Sequence, residues 1–191
     1  MFNPFGISTF ALALLLINAV AAITPALLYR GDTRSPETIE KSNGFLSRAV
    51  TLGLAEDYSI TPVMHVKLPR KDRRYPHDPW ISTSKSWKST YFFISVRQDG
   101  KTAWVYHIRT QGLCFRDVFA EHRAAGVPYT MGHEQEFVTA SWIPWDNVEG
   151  WHIVEPDGKR TYVPKNKKHV PFLSTSISEE SGRQRPNQVS L

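Results

Sequence analysis

Gly132-His133-Glu134-Gln135-Glu136-Phe137-Val138-Thr139-Ala140 is the stretch on which the reading of this chain turns. Read as one strand over residues 134–140, it places Glu134 and Glu136 at positions i and i+2, on the same face. Two carboxylates crowded into one spot repel, and at least one pKa must rise. A strand built only for packing avoids that arrangement, so the pair points to chemistry. The bland alternative is an exposed strand with two solvated acids, and the rest of the chain has to decide between them.

Outward from that strand, the chain reads as short mixed elements. Leu27 to Gly31 reads as a first strand. Between Asp32 and Asn43 lies a turn and short helix, with Ser35 as N-cap, Pro36 at the first helical position, Glu37 in the first turn and Gly44 as the stop. Val63 to Leu68 alternates like a strand, Pro69 to Pro79 is a charged loop, and Trp80 to Ser84 is a short β-prone run. Trp87 to Val96 is aromatic and apolar, with helix and strand both open. Asp99-Gly100 signals a hairpin turn, followed by a strand within Lys101 to Thr110. Phe115 to Arg123 can form a helix, Gly126 to Gly132 is a loop, and Gly150 to Val154 and Thr161 to Val163 read as strands. Short strands and helices without βαβ regularity predict an α+β class, with small mixed or antiparallel sheets and short flanking helices.

Composition sets the class. The chain has 191 residues, 41% hydrophobic and 12% aromatic, which suits one globular domain rather than a disordered chain. Phe10 to Ala22 is an apolar run ending in small residues, with Ala19-Val20-Ala21 as a cleavage pattern. It reads as a secretory signal peptide over 1–22, too short to span a membrane comfortably. A single cysteine, Cys114, excludes an internal disulfide, and between Leu113 and Phe115 it reads as a buried small hydrophobe. The net charge is +5, of which Arg70 to Arg74 supplies +3 and the stretch from Lys165 onward another +3. Basicity confined to one loop and one tail describes solvated segments, and no nucleic-acid partner is expected. Residues 165–191 read as a polar, disordered tail.

Three separated pieces then fall in order: Arg30 at the end of the first strand, Ser82-Thr83-Ser84 in the middle, and Glu134-Gln135-Glu136 late. In this order, and in their flanks, they resemble the ADP-ribosyltransferase toxins, and within them the A chain of the cholera toxin and heat-labile enterotoxin family. Leu28-Tyr29-Arg30-Gly31-Asp32-Thr33-Arg34-Ser35-Pro36-Glu37 and Ser42-Asn43-Gly44-Phe45-Leu46 are similar to that family's first segment. Residues 134–140, with Ile143-Pro144 and Gly150-Trp151, are similar to its late one. His65, 17 residues before Ser82, falls where the family places a functional histidine. The resemblance implies the toxin fold over residues 23–164, NAD as co-substrate with no metal, and transfer of ADP-ribose to an arginine of a host protein.

The residue roles it implies follow from the chemistry. Breaking the nicotinamide glycosidic bond puts positive charge on the ribose, as glycoside hydrolysis does, and a fixed carboxylate stabilises it. By resemblance Glu136 is that carboxylate, bonded to the ribose 2′-hydroxyl. Glu134 orients the acceptor guanidinium and takes its proton. Arg30 holds NAD, through a phosphate or by ordering the pocket. Ser82 orients Glu136, Thr83 and Ser84 shape the floor, Gly31 and Asp32 line the adenosine side, and His65 aligns NAD or meets the acceptor. His77-Asp78 resembles a family dipeptide but is assigned no role. Trp142, Trp145 and Trp151 can stack on a ligand or pack in the core.

The sequence also departs from the family. One cysteine cannot close an activation loop, and the tail after Pro164 carries no apolar stripe for docking a pentamer of binding subunits. No membrane anchor is expected, and the protein is expected to be secreted and to act inside a host cell. The competing readings are a non-catalytic effector of the same fold, a ribonuclease using His65 and Glu136, and a Cys114–His protease.

Overall fold

A computed structural model of the protein describes residues 24–166. The expected signal peptide over 1–22, and all of the expected tail beyond its first two residues, lie outside them. β1 (Leu27–Asp32) runs into α1 (Pro36–Lys41), whose start is written in the sequence. The Ser35 hydroxyl accepts from the Thr38 amide, Pro36 fills a first-turn position where no N–H is needed, and Glu37 faces the positive end of the helix dipole. β2 (Gly44–Leu46), α2 (Arg48–Thr51), α3 (Pro62–His65), β3 (Trp80–Ser84), α4 (Trp87–Arg97) and β4 (Ala103–Arg109) come next. β5 (Arg116–Asp117), α5 (Val118–Ala124), β6 (Glu136–Ala140), β7 (Trp142–Pro144), β8 (Val148–Val154) and β9 (Arg160–Pro164) complete the order.

Seven strands form one sheet in the order β5-β6-β3-β1-β4-β8-β9, and β2 pairs with β7 in a second. Every pairing is antiparallel. The class is α+β, as the sequence predicts. β4 shows how the layers form: Ala103 and Val105 face one apolar cluster with Ile94 and Val154, while Tyr106 and Ile108 face the larger one with Leu28, Phe45, Phe137 and Trp151. The large sheet has a seam between β1 and β3. These two strands are in register only at Tyr29↔Ser84, whereas β3 and β6 pair over five residues and β1 and β4 over six. Beyond Tyr29 the two halves of the sheet separate, and a cleft opens between them.

Several local expectations are corrected. Val63 to Leu68 is not a strand: Thr61 caps α3 through its side chain and Pro62 starts the helix, the same signal as Ser35-Pro36, so His65 sits in a helical turn. Trp87 to Val96 resolves to α4, capped by Ser86. Asp99 (φ 49) and Gly100 (φ 69) do form a left-handed turn, but it joins α4 to β4 rather than two strands. The helix expected from Phe115 starts later, because Arg116 and Asp117 pair with β6 and the Asp117 side chain then caps α5. Cys114 is exposed; its neighbour Phe115 is the residue that enters the core.

Two glycines are fixed by geometry. An added Cβ on Gly31 would stand 3.0 Å from the Ile94 Cβ, so its absence lets α4 lie close over β1. Gly44 has φ +123, and a Cβ there would stand 2.1 Å from the Ile143 carbonyl oxygen, inside the β2–β7 pairing. Gly44→Ala is expected to destabilise the fold by at least about 3 kcal/mol, combining backbone strain with overpacking. Chemical denaturation checks this; an unchanged midpoint contradicts it.

Candidate functional site

The cleft at the β1/β3 seam has a volume of ≈ 410 Å³. Arg30 closes its inner end. Its Nη1 donates to the Ser82 carbonyl oxygen at 2.7 Å, standing in for a ladder bond that the diverging strands no longer make. Nη2 lies 3.6 Å from Asp32 Oδ2, and the guanidinium stacks over the Phe45 ring at 5.2 Å. Burial pulls its pKa below the ordinary value, against the opposing pull of Asp32, and an arginine stays charged even so. Asp32 is the anchor of this corner. Burial pushes its pKa up, but bidentate bonds from Arg34 (2.9 and 2.7 Å) and the nearby Arg30 outweigh that and hold it below the ordinary range.

Ser82, Thr83 and Ser84 each spend the side-chain hydroxyl differently. Ser82 Oγ is 2.8 Å from His65 Nε2. Thr83 Oγ1 is buried and donates to the Phe137 carbonyl at 2.8 Å, tying β3 to β6. Ser84 Oγ donates to the Glu134 carbonyl. Register places Glu136 directly opposite Ser84, at the first residue of β6.

Glu134 is not on that strand. Gly132–Glu134 form a 3-10 turn, and Gln135 (φ 48, ψ 50) takes the left-handed conformation before β6 begins. The pleat that makes i and i+2 neighbours therefore does not apply. The acids converge because Gln135 turns the chain, at a cost of about 1–2 kcal/mol for a non-glycine residue. The turn is pinned by β3 and the helix after it: besides Ser84, Ser89 Oγ donates to the His133 carbonyl (2.8 Å) and the Lys85 amide to the Gln135 carbonyl (3.2 Å). Both carboxylates line the cleft, Glu134 half-buried and Glu136 buried at 8% exposure. Burial raises the Glu136 pKa, the Ser82 hydroxyl and His65 pull it down, and Glu134 pushes it up; the net is a rise. Tyr129, from the loop before the turn, offers its hydroxyl to Glu136 Oε2 at 3.4 Å.

The structure thus brings together Arg30, Gly31, Asp32, Ser82, Thr83, Ser84, Glu134 and Glu136 as lining of one cleft. His65 reaches it from behind: its Nδ1 is 2.8 Å from Asp78 Oδ2, and its Nε2 is 3.9 Å from Glu136 Oε1. Sequence reasoning gave Asp78 no role, and it missed Arg48, which donates to Asp78 Oδ2 at 3.0 Å and lines the cleft. It missed Phe93 and Arg97 on the rim, where the Arg97 guanidinium lies 3.8 Å over the Phe93 ring. The spacing of Ser89, Phe93 and Arg97 along one helix face was the available signal, once Trp87–Arg97 is read as helical. Trp145 and Trp151 stack on each other and belong to the core; neither they nor Trp142 lines the cleft. Among the described residues, no group of three or more His, Cys, Asp or Glu is placed to hold a metal ion.

The family model of the heat-labile enterotoxin alpha chain matches residues 7–169. The chain belongs to that family. The heat-labile enterotoxin A chain of Escherichia coli is 29% identical to it over 135 residues, 66% of this chain and 49% of that protein. This member therefore spans about half the length of the curated relatives it matches. Two solved structures share the fold of this enterotoxin-family chain. An Escherichia coli heat-labile enterotoxin mutant has a TM-score of 0.54 at 22% identity, covering 73% of this chain and 75% of that one. Scabin toxin from Streptomyces scabies, in complex with NADH, has a TM-score of 0.53 at 20% identity, covering 76% and 77%.

The burial of Glu136 has a consequence for stability. Because its folded pKa is raised above the ordinary 4.5, the folded chain keeps a proton that the unfolded chain has already released, so stability falls as pH rises through that window. Glu136→Gln removes the effect. The variant is expected to melt higher than the wild type at pH 7, and the gain is expected to shrink as pH falls below the ordinary carboxylate value. Thermal melts across pH 4–8 check this; a variant less stable at pH 7 than at pH 4, relative to wild type, overturns it.

Proposed function

We propose that this protein is a secreted mono-ADP-ribosyltransferase that cleaves NAD at the nicotinamide bond and transfers ADP-ribose to an arginine of a host protein, with the transferase unit at residues 23–164. The observation that carries the reading is the pair Glu134 and Glu136 in one cleft with unlike surroundings. Glu136 is buried and fixed by the Ser82 side; Glu134 is half-exposed at the mouth, on a turn pinned by Ser84 and Ser89.

That difference suits two jobs. Glu136 faces positive charge developing on the ribose from a low-dielectric wall, where a fixed carboxylate acts most strongly. Glu134, in contact with solvent, meets an incoming guanidinium, orients it through both oxygens and accepts its proton. The cleft fits the co-substrate. Its volume suits the nicotinamide and its ribose, and the rim adds Phe93, 41% exposed, under the Arg97 guanidinium. Among the described residues Arg97 has no carboxylate partner, so it is open to a phosphate, while Arg30 is already occupied by Ser82 and Asp32. Arg30 thus orders the pocket more than it offers a free charge. Family membership and the NADH complex of Scabin add weight to NAD as the substrate.

The test is nicotinamide release from NAD by the purified protein, with and without agmatine as an arginine mimic. Release that agmatine accelerates, lost in Glu136→Ala by about 100-fold or more, is the expected result. Glu134→Gln is expected to lose the agmatine acceleration while retaining part of the slow release in water. Equal loss of both in Glu134→Gln undercuts the division of labour. No release by the wild type refutes the reading.

A further inference from the structure

The turn that carries Glu134 is bordered by lysines on the segments around it. Lys67, just past α3, donates from Nζ to the Pro128 carbonyl at 3.4 Å, in the loop that runs into the turn. Lys85, after β3, gives its amide to the Gln135 carbonyl. Lys88, in the first turn of α4, stands next to Ser89, whose hydroxyl holds the His133 carbonyl. All three side chains are exposed. Among the described residues none of the three pairs with a carboxylate.

The neighbouring acids are engaged elsewhere. Asp117 caps α5 at the Ala120 amide, and Glu121 pairs with Arg116 at 2.7 Å. Asp72 holds Arg74 through both oxygens, at 3.2 and 2.9 Å, which leaves Arg70, Lys71 and Arg73 exposed shortly after Lys67. The surroundings of Glu134 are therefore positive, and so is the guanidinium it receives in the reading above. Like charges repel across such a mouth. An arginine alone fits poorly there. An arginine with carboxylates beside it fits well, because its acids meet the lysines while the guanidinium passes to Glu134.

We propose that the acceptor is an arginine set among acidic residues on the surface of a partner protein, with Lys67, Lys85 and Lys88 meeting those acids. The proposal rests on the transferase reading above and names the class of acceptor for it. In the transfer, a guanidinium nitrogen forms the bond to the ribose anomeric carbon as the bond to nicotinamide breaks. Nicotinamide leaves neutral with the bonding pair, and Glu134 takes the proton. The lysines stand apart from the co-substrate's own cations: none of the three lines the cleft, whereas Arg30, Arg48 and Arg97 do. A nucleic acid would also bring negative charge to the lysines. It has no guanidinium for Glu134 to orient, and that carboxylate would repel its phosphates. A central acid with peripheral lysines is complementary to a central cation with peripheral acids.

The experiment measures kcat/KM for ADP-ribosylation of arginine peptides flanked by aspartates, by alanines or by lysines, beside agmatine, at low and at physiological ionic strength. The wild type is compared with the double variants Lys67→Glu/Lys88→Glu and Lys67→Gln/Lys88→Gln. The wild type is expected to prefer the aspartate-flanked peptide to the alanine-flanked one by about 10-fold at low salt, with the lysine-flanked peptide poorest and the preference shrinking as salt rises. In Lys67→Glu/Lys88→Glu, kcat/KM for the aspartate-flanked peptide is expected to fall by about 10-fold, while that for agmatine, a cation with no acids, holds or rises. The KM for NAD is expected to stay unchanged. Equal use of all three peptides overturns the proposal, as does an equal loss on peptide and agmatine. A raised KM for NAD with the peptide preference intact also overturns it, assigning the lysines to the co-substrate. So does modification of duplex DNA in place of the peptide. If the wild type releases no nicotinamide, the transferase reading fails by itself. Fluorescence anisotropy of a labelled aspartate-flanked peptide, which needs no turnover, then decides the surface: binding lost in the Glu variant supports it, and no binding by the wild type overturns it. If the Glu variant does not fold, the Gln variant decides in both assays.

Discussion

The register of β3 against β6 is the constraint on which the site depends. With Ser84 opposite Glu136 and Thr83 bonded to the Phe137 carbonyl, the buried carboxylate has one position and no freedom to leave it. The same register puts the Ser82 hydroxyl within reach of His65, and the Ser84 hydroxyl within reach of the turn that carries Glu134. A slip of one residue would invert every side chain of β6 and send Glu136 to the opposite face. The complementary feature is what β1 does not do. Because it pairs with β3 at Tyr29↔Ser84 and then departs, the sheet opens a cleft along the row of hydroxyls, and Arg30 bridges the opening.

The electrostatics of the cleft run against stability. Burial lifts the Glu136 pKa, Glu134 lifts it further, and Gln135 holds a backbone conformation that favours glycine. Each of these is unfavourable in the folded chain, and each is tolerated where the surroundings over-determine it: Asp32 clamped by two arginines, Asp78 held by Arg48, the Trp80 amide and the His65 ring, the acid-bearing turn by bonds from β3 and α4. A site that concentrates such features in one cleft is arranged for chemistry, since packing alone would have removed them.

Much of the fold was legible because local signals agreed with tertiary ones. Ser35-Pro36 starts a helix, Trp80–Ser84 is a strand, β4 alternates between two clusters, and the late strand carries Glu136. Where they disagreed, the reading failed for identifiable reasons. Val63 to Leu68 alternates, but Thr61-Pro62 caps a helix and wins. α4 mixes apolar and polar residues on both its buried and its exposed sides, with Thr90 buried and Phe92 and Val96 exposed, so its period carried no information; Gly31, whose bare backbone admits Ile94, is what seats it. Cys114 lies next to a core phenylalanine, yet it sits in the loop before β5 and faces solvent. The pair of acids was found for a partly mistaken reason, since a left-handed Gln135, invisible in composition, brings Glu134 round. Asp78 was noticed only as half of a dipeptide and given no role: it meets His65 because a 12-residue excursion from Val66 to His77 returns the chain to the start of β3.

The central claim is that a buried carboxylate faces positive charge forming on a ribose. The most direct measurement of it is the secondary tritium isotope effect at the anomeric position of NAD during nicotinamide release by the purified protein. A large normal effect, reporting a loosened anomeric centre with cationic character, is the predicted result. An effect of unity or an inverse one, with chemistry shown to be rate-limiting, would mean that charge does not develop where Glu136 points, and would contradict the account.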